Sequence, residues 1–220
     1  MRPQHPSRRH RTAMAIAASL VATATTLSVG FGVSTAQSGG HTATPDAVDA
    51  STEATPDDLA TPAGRVVWEL TGPHPESVFH SLPKSFSTQL GYRPRLAGGY
   101  PVDPTGDCSS PIALPRRFDD LCRTHDFGYD VLRFASRDGH PLGGWARLRL
   151  DRMLIQRMHA SCSSPICDAA AALAEVGLRV NTWRQFDGAP TPAESPIEIV
   201  SSGVGRGWAD LTGRRSGATS

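Results

Sequence analysis

The chain has little net charge and few aromatic residues, and both shortages narrow the functions that its sequence allows. Its 220 residues carry a formal net charge of +1, and 6% of them are aromatic. No stretch interleaves basic and aromatic residues in the way that nucleic-acid-binding surfaces do. A strong alternation of apolar and polar residues is also missing, so no β-strand is predicted. These absences argue against nucleic-acid recognition and against a fold built on a β-sheet.

Only one long apolar run is present, and it lies close to the N-terminus. Arginines are frequent in the first eleven residues, residues 12–36 carry no charge, and Ser34-Thr35-Ala36 has the small residues of a signal peptidase site. Residues 1–36 therefore predict a cleaved signal peptide. An uncleaved membrane anchor is the alternative, because the run is long enough to span a bilayer. Since no second apolar run follows, we expect a soluble, secreted protein.

Large apolar residues are scarce on both sides of the central region. Residues 37–64 consist mainly of Thr, Ala, Pro, Ser and Gly without Lys or Arg, and residues 187–220 are rich in Pro and Gly. Such segments bury too little apolar surface to offset the entropy of ordering the backbone. We therefore predict a disordered linker over 37–64, a folded domain over 65–186, and a flexible tail over 187–220.

The four cysteines all lie in the predicted domain, at positions 108, 122, 162 and 167. An even number of cysteines in an exported protein indicates disulfides, and four cysteines permit three pairings. The two nearest-neighbour pairs are the simplest of these. A zinc site that uses the thiolates, with or without His159, is the alternative, although no spacing is the two-residue kind of zinc ribbons.

Apolar residues follow helical spacing through most of the predicted domain. A first long helix is predicted over 115–135, and a second includes Leu148 to Met158. A third is predicted over 168–184 and a short one over 83–90. Residues 92–105, which are rich in Pro and Gly, are predicted to be irregular. The pattern favours a small, all-α domain stapled by disulfides.

Catalytic chemistry is suggested by His125 and Asp126, which are adjacent in the first long helix. A neutral imidazole accepts a proton from water near neutral pH, and a carboxylate binds a hard cation such as calcium. Successive helical residues point about 100° apart, so the two side chains must face different neighbours. Asp151 is an acid on an otherwise apolar stripe, which a helical hairpin would bring to His125. Carbonyl groups near Asp107 would complete an oxygen shell for calcium.

The residues Cys108-Ser-Ser-Pro and Cys122-x-x-His125-Asp126-x-Gly128-Tyr129, an acid on the next helix and a closing cysteine pair resemble the prokaryotic secreted phospholipase A2 family. The resemblance covers roughly residues 104–186. It implies a calcium-dependent enzyme in which two long antiparallel helices carry the site and which cleaves the sn-2 ester of glycerophospholipids. It also implies the disulfide pairs Cys108–Cys122 and Cys162–Cys167.

By position, the resemblance implies that His125 is the general base and that Asp151 orients it. Asp126 is implied as the calcium carboxylate, with Gly106 and Asp107 in the loop that completes the ion's shell. Family members carry an aspartate where this chain has Gly106, so we expect either Asp107 or backbone carbonyls to take its place. The mechanism implied is attack by a water from which His125 removes a proton, while calcium polarises the ester carbonyl and holds the lipid phosphate.

Substrate contacts are expected at two further residues of the same helix. Gly128 would leave room for an acyl chain, or would only permit close helix packing; Tyr129 would line the site, or would be a core ring whose hydroxyl supports a nearby acid.

We expect a monomer that acts on phospholipid in a membrane or micelle surface. Several arginines favour an anionic lipid surface, unless they form an ordinary solvated face (116, 117, 147, 149 and 152). The alternative function is a secreted calcium-binding or interaction module without turnover.

Overall fold

A computed structural model describes residues 53–110, 113–191 and 194–212, and these residues form a mostly helical fold. The predicted signal peptide (1–36) lies outside the described residues. The helices are α1 (Pro56–Ala60), α2 (Pro62–Leu70), α3 (Val78–Ser81), α4 (Phe86–Leu90), α5 (Asp119–Arg137), α6 (Gly144–Ser161), α7 (Pro165–Arg184) and α8 (Pro196–Leu211). Single 3₁₀ turns cover Pro75–Ser77 and Arg116–Phe118. The prediction of an all-α fold class is confirmed at this level.

One short hairpin interrupts the helical chain where irregular structure was predicted. Strands β1 (Arg95–Ala97) and β2 (Tyr100–Val102) pair in antiparallel register, with Leu96 opposite Pro101. Gly98 and Gly99 connect them with φ values of 55° and 82°, in the left-handed region that glycine enters without a steric penalty. The strands are too short to show alternation, which is why the sequence did not reveal them.

Helices α5 and α6 form an antiparallel hairpin. His125 contacts Asp151, and Gly128 lies against Leu150, so positions that advance along α5 meet positions that go back along α6. The main core lies between this hairpin and α2, and the side chains at its centre are fully buried (Val66, Val67, Leu70, Phe127 and Leu150). This core fixes the two helices that carry the predicted site residues.

A second, smaller core lies around the two disulfides, Cys108–Cys122 and Cys162–Cys167. Phe118 and Met158 are almost completely buried in it. The disulfides thus tie the 103–108 loop to α5 and the end of α6 to the start of α7. Both predicted pairs are present, and there is no free cysteine.

The predicted linker is wrong in its last part, because residues 56–64 form α1 and the start of α2, with Leu59 packed against the core and Ala63 buried in it. Thr55 and Thr61 cap α1 and α2 with their hydroxyl groups, and each is followed by proline at the first helical position. Asp58 completes a capping box in α1 and accepts a hydrogen bond from the Trp145 indole at 2.8 Å. Such polar residues are also typical of linkers, so the segment was predicted to be one, although here they begin helices.

The predicted tail is also wrong where α8 forms, over 196–211. Ser195 and Glu198 make a capping box, and Pro196 occupies the first helical position. The helix is tied to α7 by hydrogen bonds from Arg184 to Ser202 and from Trp183 to Asp210. None of its side chains with a described environment is buried. Among the described residues, no helix combines the length and the apolar character needed to cross a membrane.

Candidate active site

His125 and Asp151 form a buried pair between α5 and α6. Nε2 of His125 lies 2.8 Å from Oδ1 of Asp151, and the two residues are 5% and 9% exposed. An ionised carboxylate only accepts hydrogen bonds, so this contact places the imidazole proton on Nε2. Nδ1 is therefore the ring nitrogen that keeps a free lone pair. The geometry is that of a base held in one tautomer by an acid.

Two hydroxyl groups hold the Asp151 carboxylate in place. Tyr129 donates to Oδ1 at 2.7 Å, and Thr182 of α7 donates to Oδ2 at 2.6 Å. Burial raises the pKa of Asp151, but the hydrogen bonds from His125, Thr182 and Tyr129 outweigh it and the pKa is lowered. Asp151 is thus kept ionised. Of the two roles predicted for Tyr129, this contact matches the core ring whose hydroxyl supports a nearby acid.

Arg147 completes this network from one helical turn before Asp151. It is 1% exposed, donates from Nε to the Thr182 hydroxyl at 3.0 Å, and donates from Nη1 to Gln185 and to the Gly188 carbonyl. Its guanidinium also lies over the Tyr129 ring, 5.2 Å from the centroid. The prediction that Arg147 faces a lipid surface is wrong, because its guanidinium is buried and bonded to Thr182, Gln185 and Gly188.

Sequence reasoning missed the roles of both Arg147 and Thr182. The spacing of four residues between Arg147 and Asp151 places them on one helical face, and this was an available signal for their association. No comparable signal marked Thr182, because its contact depends on how α7 packs against α6.

Gly128 lies where α5 and α6 pack closely against each other. A Cβ atom built on it would lie 2.5 Å from Cδ2 of Leu150, so α5 and α6 approach each other closely at this position. The role predicted for Gly128 in binding an acyl chain is therefore wrong, since Leu150 fills that space. The alternative interpretation, close packing of the two helices, accounts for the glycine.

The 106–108 loop lies directly against Asp126. The backbone N–H of Asp107 donates to Oδ2 of Asp126 at 2.9 Å, and a Cβ atom at Gly106 would lie 2.6 Å from the same oxygen. The Cys108–Cys122 disulfide holds the loop there, with Cα atoms 5.2 Å apart. Glycine at position 106 is thus required by the close approach of the carboxylate.

Burial and neighbouring charges shift the protonation equilibrium of the Asp126 carboxylate. Burial and the nearby carboxylates Asp103 and Asp130 raise the pKa of Asp126 to about 6, against the lowering effect of His125 and of the Asp107 N–H. A carboxylate in these surroundings is stabilised by a cation. Among the described residues, no three His, Cys, Asp or Glu side chains converge on a metal position.

The two predicted ligands in the loop present different groups. The Asp107 carboxylate accepts a hydrogen bond from the N–H of Cys108 at 2.7 Å and is not turned to Asp126. The Gly106 carbonyl accepts from Nε of Arg123 at 3.2 Å and keeps a second lone pair. The loop therefore offers carbonyl oxygen more readily than a second carboxylate.

The chain was compared with protein families, with curated proteins and with solved structures. No protein-family model, no curated protein and no solved structure matches the chain.

Proposed function

We propose that the protein is a secreted, calcium-dependent phospholipase A2 that hydrolyses the sn-2 ester of glycerophospholipids. The observation that carries this proposal is the buried hydrogen bond between His125 and Asp151, with the Asp126 carboxylate on the adjacent residue. The Cys-x-x-His-Asp-x-Gly-Tyr resemblance supplies the substrate class. Two disulfides are consistent with export, since they persist in oxidising compartments.

In this reaction His125 is the general base and no nucleophilic serine or cysteine takes part. Nδ1 of His125 removes a proton from a water molecule as the oxygen of that water attacks the ester carbonyl. Asp151 keeps the proton on Nε2 and stabilises the imidazolium that forms. Tyr129 and Thr182 hold Asp151, and the proton then passes from Nδ1 to the leaving alcohol.

Calcium would be held by Asp126 and by carbonyl oxygen of the 106–108 loop. When bound, it supplies positive charge to the ester carbonyl and to the lipid phosphate. Asp151 orients the base, and burial of the His125–Asp151 contact excludes water from it. Asp126 lies beside this loop, where it accepts the Asp107 N–H.

The test is release of fatty acid from phosphatidylcholine micelles with calcium, with a chelator, and by two histidine variants. His125→Asn is expected to lower kcat by about 10²–10⁴-fold, the range of a lost general base. His159→Asn is the matched control, because His159 lies near Asp168 in another, exposed pair. Equal activity of the two variants, or full activity in chelator, would refute the mechanism.

A calcium-binding or interaction module without turnover is the second candidate. It stays open because position 106 is glycine where the family carries an aspartate, and because a backbone N–H of Asp107 faces Asp126 instead of a second carboxylate. Calcium binding in a titration calorimeter without fatty acid release would select this candidate over the enzyme.

A further inference from the structure

A pocket on the opposite side of α6 from Asp151 is lined by three arginines. Arg149, Arg152 and Arg157 face it together with Gln156, and its volume is about 290 Å³. The end of α2 at Thr71 and the hairpin residue Tyr100 form its other walls. At 100° per residue, these α6 positions lie on one helical face and Asp151 on the reverse. We call this site the arginine pocket.

The positive charge of the arginine pocket has no carboxylate partner. Among the described residues, none of the three arginines forms an ion pair, and Nη1 of Arg157 is buried without a hydrogen-bond partner. Asp120 also acts on Arg157, but its carboxylate is already paired with Arg123 at 3.1 Å. A buried donor without an acceptor destabilises the fold unless a ligand supplies the acceptor.

Burial disfavours the charge of two of these arginines, and like charge acts on one of them. Burial and the neighbouring charge of Arg152 lower the pKa of Arg149, and burial lowers that of Arg157. Both guanidinium groups stay charged all the same, since the pKa of arginine is too high for deprotonation in a protein. An anion in the pocket would offset the cost of burying these charges and the repulsion between Arg149 and Arg152.

Two of the three guanidinium groups are fixed before any ligand binds. Arg149 lies over the Trp68 ring, 4.1 Å from its centroid, and donates from Nε to the Thr71 hydroxyl. Arg157 lies over the Tyr100 ring at 3.3 Å. Stacking uses the face of a guanidinium and leaves its N–H edges for hydrogen bonds. The N–H groups of Arg149 and Arg157 are thus held in place on one face of α6 before a ligand binds.

We propose that Arg149, Arg152 and Arg157 form a binding site for a phosphate monoester or inorganic phosphate. A phosphate monoester carries about −1.5 to −2 charges at pH 7, which balances most of the charge of the pocket. Arginine pairs with phosphate through two parallel N–H···O bonds, and a group of this size fits the volume. The site is separate from His125 and does not depend on the proposed hydrolysis.

The experiment measures binding of inorganic phosphate to the full chain by titration calorimetry, with acetate as a probe of lower charge. Phosphate is expected to bind at least tenfold more tightly than acetate. Arg152→Gln is expected to weaken phosphate binding about tenfold, because Arg152 is exposed and its loss does not disturb the core. The matched control is Arg137→Gln, which removes an exposed arginine of α5 and should change the affinity less than twofold.

A second arm distinguishes free phosphate from a lipid headgroup. Phosphatidylcholine vesicles with and without phosphatidic acid are sedimented with the protein, and soluble phosphate is added as competitor. Binding that requires phosphatidic acid and Arg152 supports the site with a lipid source; phosphate binding without vesicle binding supports it with a soluble source. Absence of binding in both arms, or equal weakening by Arg152→Gln and Arg137→Gln, overturns the proposal.

Discussion

Thr182 donates its hydroxyl to Asp151 at 2.6 Å, across the contact between α7 and α6. The same oxygen accepts a hydrogen bond from Nε of the buried Arg147. Thr182 thus connects a carboxylate and a guanidinium that do not touch each other directly. A third helix thereby determines the orientation of the acid behind His125, although α5 and α6 supply the pair itself.

Replacing Thr182 by valine should weaken both the fold and the site. Thr182→Val keeps the shape but leaves Arg147 Nε and Asp151 Oδ2 each without one hydrogen bond, which costs about 1–3 kcal/mol. Urea unfolding measures this loss. Thr124→Val is the control, because the buried Thr124 hydroxyl bonds only to the carbonyl of Asp120 in its own helix. A smaller loss in Thr182→Val than in Thr124→Val would contradict the network.

Stability should fall in acid in a way that depends on Asp151. The folded-state pKa of Asp151 is lowered because its hydrogen bonds outweigh burial. Its ionised form therefore stabilises the folded state at pH values above 3.8, the ordinary pKa that the group has in the unfolded chain. That stabilisation is lost as pH falls below 3.8 towards the folded-state pKa. The free energy of unfolding, measured by urea titration between pH 2 and 6, should therefore decrease more steeply for the wild type than for Asp151→Asn. Parallel curves would show that the pKa is not lowered.

Alanine should have opposite effects at two helical glycines. Gly128→Ala places a methyl group against Leu150 in the core, and overpacking should destabilise the protein by about 1–2 kcal/mol after the gain in helix propensity. Gly177→Ala adds a methyl group to α7 where nothing lies within 4 Å, so it should stabilise by up to about 1 kcal/mol. Thermal unfolding followed by circular dichroism compares the two. A stabilised Gly128→Ala would mean that the helices can separate at no cost.

The two disulfides should contribute unequally. Cys108–Cys122 closes a loop with a sequence separation of 14 and Cys162–Cys167 one of 5. In the chain-entropy model the losses on removing them are about 3 and about 2 kcal/mol. Unfolding of the paired Cys→Ala variants in urea measures both, and the 108–122 variant should be the weaker protein. The reverse order would show that α7 depends on its cysteine pair more than the 103–108 loop does.

The sequence predicted most of the helical hairpin and the pairing of His125 with Asp151, because both follow from spacing on a helical face. It placed the beginning of α7 at Asp168, whereas the helix starts at Pro165 behind the capping residue Ser164. It missed α1 and α8, whose capping residues are also typical of linkers. Thr182 depends on tertiary packing, and no local pattern of residues specifies it.

Arg147 sets a lower limit on the length of any fragment that keeps this helix packing. Its acceptors extend to the carbonyl of Gly188, past the end of α7 and past the last residue of the resemblance. A shortened chain that stops after the second cysteine pair would keep the imidazole and both carboxylates, yet would lose the three hydrogen-bond acceptors that Arg147 finds at Thr182, Gln185 and Gly188. Truncation from the C-terminus should therefore destabilise the helix packing before it removes His125, Asp126 or Asp151.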